Sequence, residues 1–234
     1  MDLSSLNKIN KKSFDDIYSV VDETDDFIMI LKKYGLAVQA TDSDKEDLET
    51  ILKERYNTPI FVLNRIDQPV TGLVIFGKSK KFAEAFTEML KERKVDKTYL
   101  AIVAGSPPNG VTKLYHFLKK LHNRAMTADE KIDDNYKEAV LYYNKIQSFD
   151  NYHLLKIDLE TGRFHQIRAQ LATMDMPIKG DLKYGSRRPN LDRSICLLAY
   201  RMSFVHPFTN RKYEYQASLP TNDVLWGLVD ESLV

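Results

Sequence analysis

A carboxylate that works on a substrate needs a loop to present it and a cation to keep it ionised. The stretch Asn64–Gly77, NRIDQPVTGLVIFG, sets Asp67 at the mouth of a loop, beside the cation Arg65. Pro69 fixes its own φ and lacks a backbone donor, and Gly72 permits angles that other residues avoid. The apolar run Leu73–Phe76 then reads as a buried strand. Taken alone, Asp67 equally fits the cap of a tight turn. Two further segments bear on the choice. Lys97–Ala104, KTYLAIVA, is a strand that turns the Tyr99 ring to one face and Leu100 to the other. In Thr161–Arg168, TGRFHQIR, Thr-Gly turns the chain into a helix carrying His165 and Arg168 at i, i+3 on one face. Each has an ordinary reading too. Tyr suits any strand, Arg163 and Arg168 could be solvated helix charges, and His165 fits a helix start better than an acid or base.

Strands dominate the elements that must hold these segments. Phe27–Leu31 and Phe61–Leu63 are short buried strands, and Leu48, Ile51, Leu52 and Tyr56 fall at helical spacing. Ser79 is placed to cap a helix with Phe82, Phe86, Met89 and Leu90 on its apolar face. Val111–Tyr136 has no clear period; its His116, Lys119, Lys120, His122 and Arg124 form a basic surface in any case. Ala139–Phe149 and Tyr152–Leu159 pair about Asp150-Asn151. The helix expected over His165–Met174 turns Ile167, Leu171 and Met174 inward, and Pro177 ends it. Ile195–Ala199 and Met202–Val205 are apolar, His206-Pro207 turns, and Arg211–Ala217 is a last strand. The fold class is α+β, with a mixed, largely antiparallel sheet, flanking helices and a central cleft. Residues 1–19 read as a polar N-terminal extension and 20–234 as one domain.

The 234 residues are 43% hydrophobic, enough for a sizeable core. The single cysteine, Cys196, excludes an internal disulfide, fits a reducing compartment and lies in an apolar run. The N-terminus lacks the apolar centre of a signal peptide, and no apolar run approaches a membrane span, so a cytoplasmic protein is expected. The net charge of +1 conceals a pattern: residues 1–60 carry −5, residues 61–212 carry +10 and residues 213–234 carry −4. A basic middle attracts polyanions. The five histidines show no metal-ligand spacing, and the glycines form no phosphate cradle.

At these residues the chain resembles the RluA-type pseudouridine synthases. That family's catalytic signature, roughly His-Arg-Leu-Asp, two variable residues, then Thr-Ser-Gly, stands here as NRIDQPVTG, so Arg65, Asp67 and Gly72 match. Its Lys-x-Tyr strand appears as KTYLAIVAG and its helix start as TGRFHQIR, followed by Gly180-Asp181, Tyr184-Gly185 and the His206-Pro207 turn. The likeness covers about residues 20–220, with four motifs in order. Asn64 stands where the family has His, Val70-Thr71 where it has Thr-Ser, and Lys32-Lys33-Tyr34-Gly35 where it has Lys-Pro-x-Gly. The small RNA-binding domain often found ahead of this fold is not expected, since the fold begins near Val20.

The resemblance implies an isomerase that detaches uracil from its ribose, rotates it and rejoins it through carbon, with no metal or organic cofactor. It implies Asp67 as the catalytic carboxylate and Arg168 as its ion partner. Tyr99 would stack on the uracil and help take the C5 proton. The uridine must leave its stack, at about a few kcal/mol, and Arg65 would fill the gap. Arg65, Asn64, Arg163, His165 and Lys97 would contact RNA. The implied partner is a stem-loop of ribosomal or transfer RNA, not DNA, met by a monomer. Two rivals remain. An inactive RNA-binding or RNA-chaperone protein of the same fold is motivated by Asn64 and Val70 and opposed by the intact Asp67, Tyr99 and Arg168. A hydrolase using Asp67 as a base would lack a second placed carboxylate.

Overall fold

In a computed structural model of the chain, which describes residues 17–40 and 46–234, eleven strands form one sheet. They are β1 (Tyr18–Glu23), β2 (Phe27–Lys32), β3 (Phe61–Val62), β4 (Thr71–Gly77), β5 (Val95–Val103), β6 (Val111–Leu121), β7 (Arg124–Ala128), β8 (Lys137–Ser148), β9 (His153–Leu159), β10 (Leu197–Val205) and β11 (Lys212–Gln216). The order is β1-β2-β4-β10-β5-β9-β8-β6-β7, with β3 also on β4 and β11 on β10. Among the described residues, β4 and β10 form the one parallel pair of strands; the rest are antiparallel. Of the 1–19 extension, residues 1–16 lie outside the described residues, and the first strand begins at Tyr18.

Three α-helices are seen among the described residues: α1 (Leu48–Tyr56), α2 (Lys80–Lys91) and α3 (Gln166–Thr173). The Asp47 carboxylate caps α1 by accepting from Thr50 N, and the Ser79 hydroxyl caps α2 by accepting from Phe82 N. Phe82, Phe86 and Met89 bury the apolar face of α2, as its spacing predicts. The central strands are the core: Val74, Ile75 and Phe76 on β4 and Leu100, Ala101 and Ile102 on β5 are 0% exposed. Strands buried on both faces read as continuous apolar runs, which is how both appear in the sequence.

The structure resolves two segments that the sequence leaves open and corrects one expectation. Val111–Tyr136 contains the β6–β7 hairpin, obscured because its strands carry basic residues among the apolar ones. Ile195–Ala199 and Met202–Val205 belong largely to one strand, β10, whose register shifts between Ala199 and Arg201. Met174 is exposed, because α3 stops one residue earlier and Met174 sits at its C-terminal cap.

Gly72 shows why this topology needs a glycine. It lies at φ +139° where β4 meets β10, paired with Ala199. A Cβ there would come within 2.5 Å of the Ala199 backbone N and O. The close approach fixes the end of the Asp67 loop against the central strands.

Candidate active site

Asp67 is presented by a loop tied at several points. Val70 N donates to Asp67 O (3.0 Å), Ile195 N donates to Pro69 O (3.2 Å), and Gly35 N donates to Gln68 O (2.8 Å). The Gln68 side chain donates back to Gly35 O (2.9 Å). Beneath them lies Lys32, the last residue of β2 and 0% exposed. Its ammonium donates to the carbonyls of Lys33, Leu36 and Gln68 at 3.0, 2.9 and 3.3 Å. Burial pushes this ammonium down to about 7, with the Asp67 charge pulling the other way. A buried cation holding three backbone carbonyls binds the Lys33–Leu36 turn to the Asp67 loop.

Arg168 arrives on the first turn of α3 and is 4% exposed. Its Nη1 donates to Asp67 Oδ2 (2.8 Å), while Nε and Nη2 donate to the two oxygens of Asp181 (2.7 and 2.8 Å). Asp181, 1% exposed, thereby holds the guanidinium by a bidentate fork and leaves one edge for Asp67. Burial opposes the Arg168 charge, and the bonds and charges of Asp181 and Asp67 outweigh it, raising its pKa further. The guanidinium also lies 5.0 Å from the centre of the Tyr184 ring.

The α3 start is locked to β8. Thr161 Oγ1 accepts from Val140 N (2.8 Å) and donates to Gln166 Oε1 (2.8 Å), and Gln166 Nε2 donates to Val140 O (3.1 Å). His165 caps α3 in the left-handed region at φ 52° and makes no side-chain cap bond. Its ring turns instead to Tyr184 Oη, 2.8 Å from Nδ1, and places Nε2 3.6 Å from Asp67 Oδ2. Burial, ahead of the charges around it, pushes the imidazole down to about 4, so it is neutral near pH 7. Tyr184 Oη accepts from Ala125 N (2.7 Å), and donating to Nδ1 gives the hydroxyl its acceptor. In that arrangement the His165 proton lies on Nε2, facing the carboxylate.

Asp67, Tyr99 and Arg168 line one cleft of about 1590 Å³. Tyr99 is 8% exposed; burial and then the Asp67 charge raise its pKa, so the phenol stays protonated. Arg65, Asn64, Arg163, His165 and Lys97 line the same cleft. Arg65 is exposed and its Nη1 donates to Gln39 Oε1 (3.3 Å), and Arg163 is exposed with Nε donating to Glu138 O (2.8 Å). Burial pulls the Lys97 ammonium below its ordinary value. Asn64 lines the cleft while its amide oxygen accepts from Ile75 N (2.8 Å) and its amide nitrogen donates to Leu73 O (3.5 Å), which ties the loop to β4.

Sequence reasoning gave no role to Lys32, Asp181 or Tyr184. A charge closing the apolar strand FIMILK was the available signal for Lys32. Asp181 and Tyr184 entered that reasoning only as residues that accompany the helix motif; their partners Arg168 and His165 lie 13 and 19 positions back in the chain. Among the described residues, no group of three or more His, Cys, Asp or Glu side chains is arranged to hold a metal ion. No helix among them is long and apolar enough to cross a membrane.

The sheet, and a cleft joining an aspartate, an arginine and a tyrosine from separate elements, define the class of protein. The sequence profile of the RNA pseudouridylate synthase family matches residues 26–173, more than half of the chain. This chain belongs to that family and is an RNA pseudouridine synthase, an isomerase. It is 28% identical over 222 residues to tRNA pseudouridine synthase C of Vibrio parahaemolyticus, covering 86% of this chain and 89% of that one. It is 30% identical over 229 residues to ribosomal large subunit pseudouridine synthase D of Haemophilus influenzae, covering 88% and 68%. Human RNA pseudouridylate synthase domain containing 1 shares the fold, with a TM-score of 0.72 at 21% identity over 88% of this chain and 86% of that one.

Proposed function

We propose that this chain isomerises a uridine in a stem-loop of transfer or ribosomal RNA, with Asp67 as the catalytic carboxylate. The observation that supports this most is the 2.8 Å ion pair from the buried Arg168 to Asp67, in a cleft that Tyr99 also lines. The reaction breaks the C1′–N1 bond, turns the uracil and forms C1′–C5; the C5 proton leaves to solvent and the freed N1 takes one up. Nothing is gained or lost overall, so the site must hold a detached base beside an ionised carboxylate. Arg168 holds the Asp67 carboxylate in place by a charge-assisted hydrogen bond of 2.8 Å. Tyr99, as a protonated phenol, is suited to stack on the uracil; in that form it is not a base for the C5 proton. Neutral His165 offers Nε2–H beside Asp67 without adding charge.

A uridine inside folded RNA must swing out to reach Asp67, and exposed Arg65 on the same loop braces the emptied stack. Lys97 and Arg163 draw the phosphates to the cleft. The relatives named for transfer RNA and for the large ribosomal subunit leave both RNA classes as substrates of this reading. The protein acts as a cytoplasmic monomer on RNA and not on DNA. The Asp67–Arg168 pair and the Asn64 anchor of the loop weigh against the inactive reading that Asn64 and Val70 motivate.

The test is Asp67→Asn. This variant is expected to fold and bind RNA, and to release no tritium from C5-labelled uridine in bulk RNA under single-turnover conditions. Release near the wild-type rate would end the proposal.

A further inference from the structure

Phe164 is a large apolar side chain left 36% exposed in the lining of the cleft. A single exposed apolar residue is ordinary, so exposure decides nothing. The surroundings of this ring are more particular. It lies flat on His165, with centroids 3.8 Å apart and planes 20° apart. His165 is itself fixed, by Tyr184 Oη and by its place at the start of α3, with Nε2 3.6 Å from Asp67. The Phe164 ring therefore has a set orientation, one ring removed from the carboxylate.

Cations border the same ring. Lys120, on β6, holds Nζ 4.8 Å from its centre, and Arg163 precedes it in the chain. The hairpin that brings Lys120 here is pinned to the far wall of the site. Lys183 Nζ donates to Asn123 O (3.0 Å), and Ala125 N donates to Tyr184 Oη (2.7 Å). A fixed aromatic face with an ammonium over it and an exposed arginine next to it in the chain matches one ligand chemistry: a flat π-system joined to a phosphate.

Resting on the uridine-isomerisation reading, we propose that Phe164 is a stacking platform for an unpaired base adjacent to the flipped uridine, with Lys120 moving off the ring to the neighbouring phosphate. Flipping one nucleotide unstacks its neighbour, and an aromatic face beside the pocket replaces the stack that was lost. A lysine over an aromatic ring is readily displaced, since an exposed cation–π contact is weak and the ammonium gains a phosphate in exchange.

The probe is mixed transfer and ribosomal RNA from cells lacking the gene, labelled with tritium at uridine C5. Affinity is read by filter retention, and KM and kcat by tritium release. Phe164→Ala and Phe164→Leu are each expected to weaken retention and raise KM about tenfold, with a much smaller change in kcat. Phe164→Tyr, which keeps the ring, stays within about twofold of wild type. Lys120→Met lowers the salt dependence of binding by about one unit of slope. If Phe164→Leu binds as tightly as wild type, the ring only fills space and the proposal is overturned. A fall in kcat with KM unchanged also overturns it, because the ring would then serve only to hold His165. If the wild type releases no tritium, the isomerase reading fails. The difference in retention between the Leu and Tyr variants still decides whether Phe164 stacks on RNA.

Discussion

Asp181 and Arg168 allow stability and activity to be separated. Both are buried, at 1% and 4% exposure, and they share two hydrogen bonds, while the third bond of Arg168 goes to Asp67. Arg168→Met removes all three and leaves the Asp181 carboxylate buried without its cation. Breaking a buried pair from one side costs about 3–5 kcal/mol. Asp67 adds less, because its side chain is 24% exposed and water can replace the arginine. Asp181→Leu alone strands the guanidinium in the same way, though Asp67 remains to it. Replacing both partners by apolar groups of similar volume is often neutral, so Arg168→Met with Asp181→Leu should recover most of the lost stability, to within about 1–2 kcal/mol of wild type. Activity should not recover, since nothing then aims a cation at Asp67. Urea denaturation of wild type, both single variants and the double variant gives the stability cycle, and tritium release from C5-labelled RNA gives the activities. A double variant no more stable than either single one would refute the claim that Asp181 chiefly compensates Arg168. A double variant with wild-type turnover would refute the claim that Arg168 serves Asp67.

Two further outcomes follow from the loop itself. Lys32 titrates near 7 in the folded state and near 10.5 in the unfolded chain, so across that window the unfolded state binds more protons and stability rises with pH. Between about pH 7 and 9 wild type should gain about 2 kcal/mol relative to Lys32→Met, as read by urea denaturation at each pH, and parallel profiles would contradict the burial of a titrating ammonium there. Gly72→Ala forces a Cβ onto the Ala199 backbone at an unfavourable φ, and should lower stability by about 2 kcal/mol or more and reduce turnover. Thermal melting checks the first effect and tritium release the second; a fully stable alanine variant would mean that the two strands separate easily at that point.

The sequence by itself determined the elements and the segments that meet in the cleft. Its apolar runs are long and regular enough to mark β2, β4, β5 and α2, because burial on a given face imposes a period on nearby residues. Asp67 and Arg168 stand beside turn residues visible locally, Pro69, Gly72 and Gly162, and Tyr99 in a strand, but only the order of the motifs and the resemblance they carry singled the three out. Tertiary structure alone decided what those groups touch. Arg168 meets Asp67 across 101 positions of chain, and its fork to Asp181 depends on a loop beyond α3. Lys32 reads as part of a surface turn until β2 pairs with β4 and closes the Asp67 loop over it. The basic hairpin had no readable period, yet its contacts with Tyr184 and Phe164 make it a wall of the site. Local sequence encodes the backbone period and the turns, whereas ion pairs and ring contacts depend on through-space distances that only the complete sheet sets.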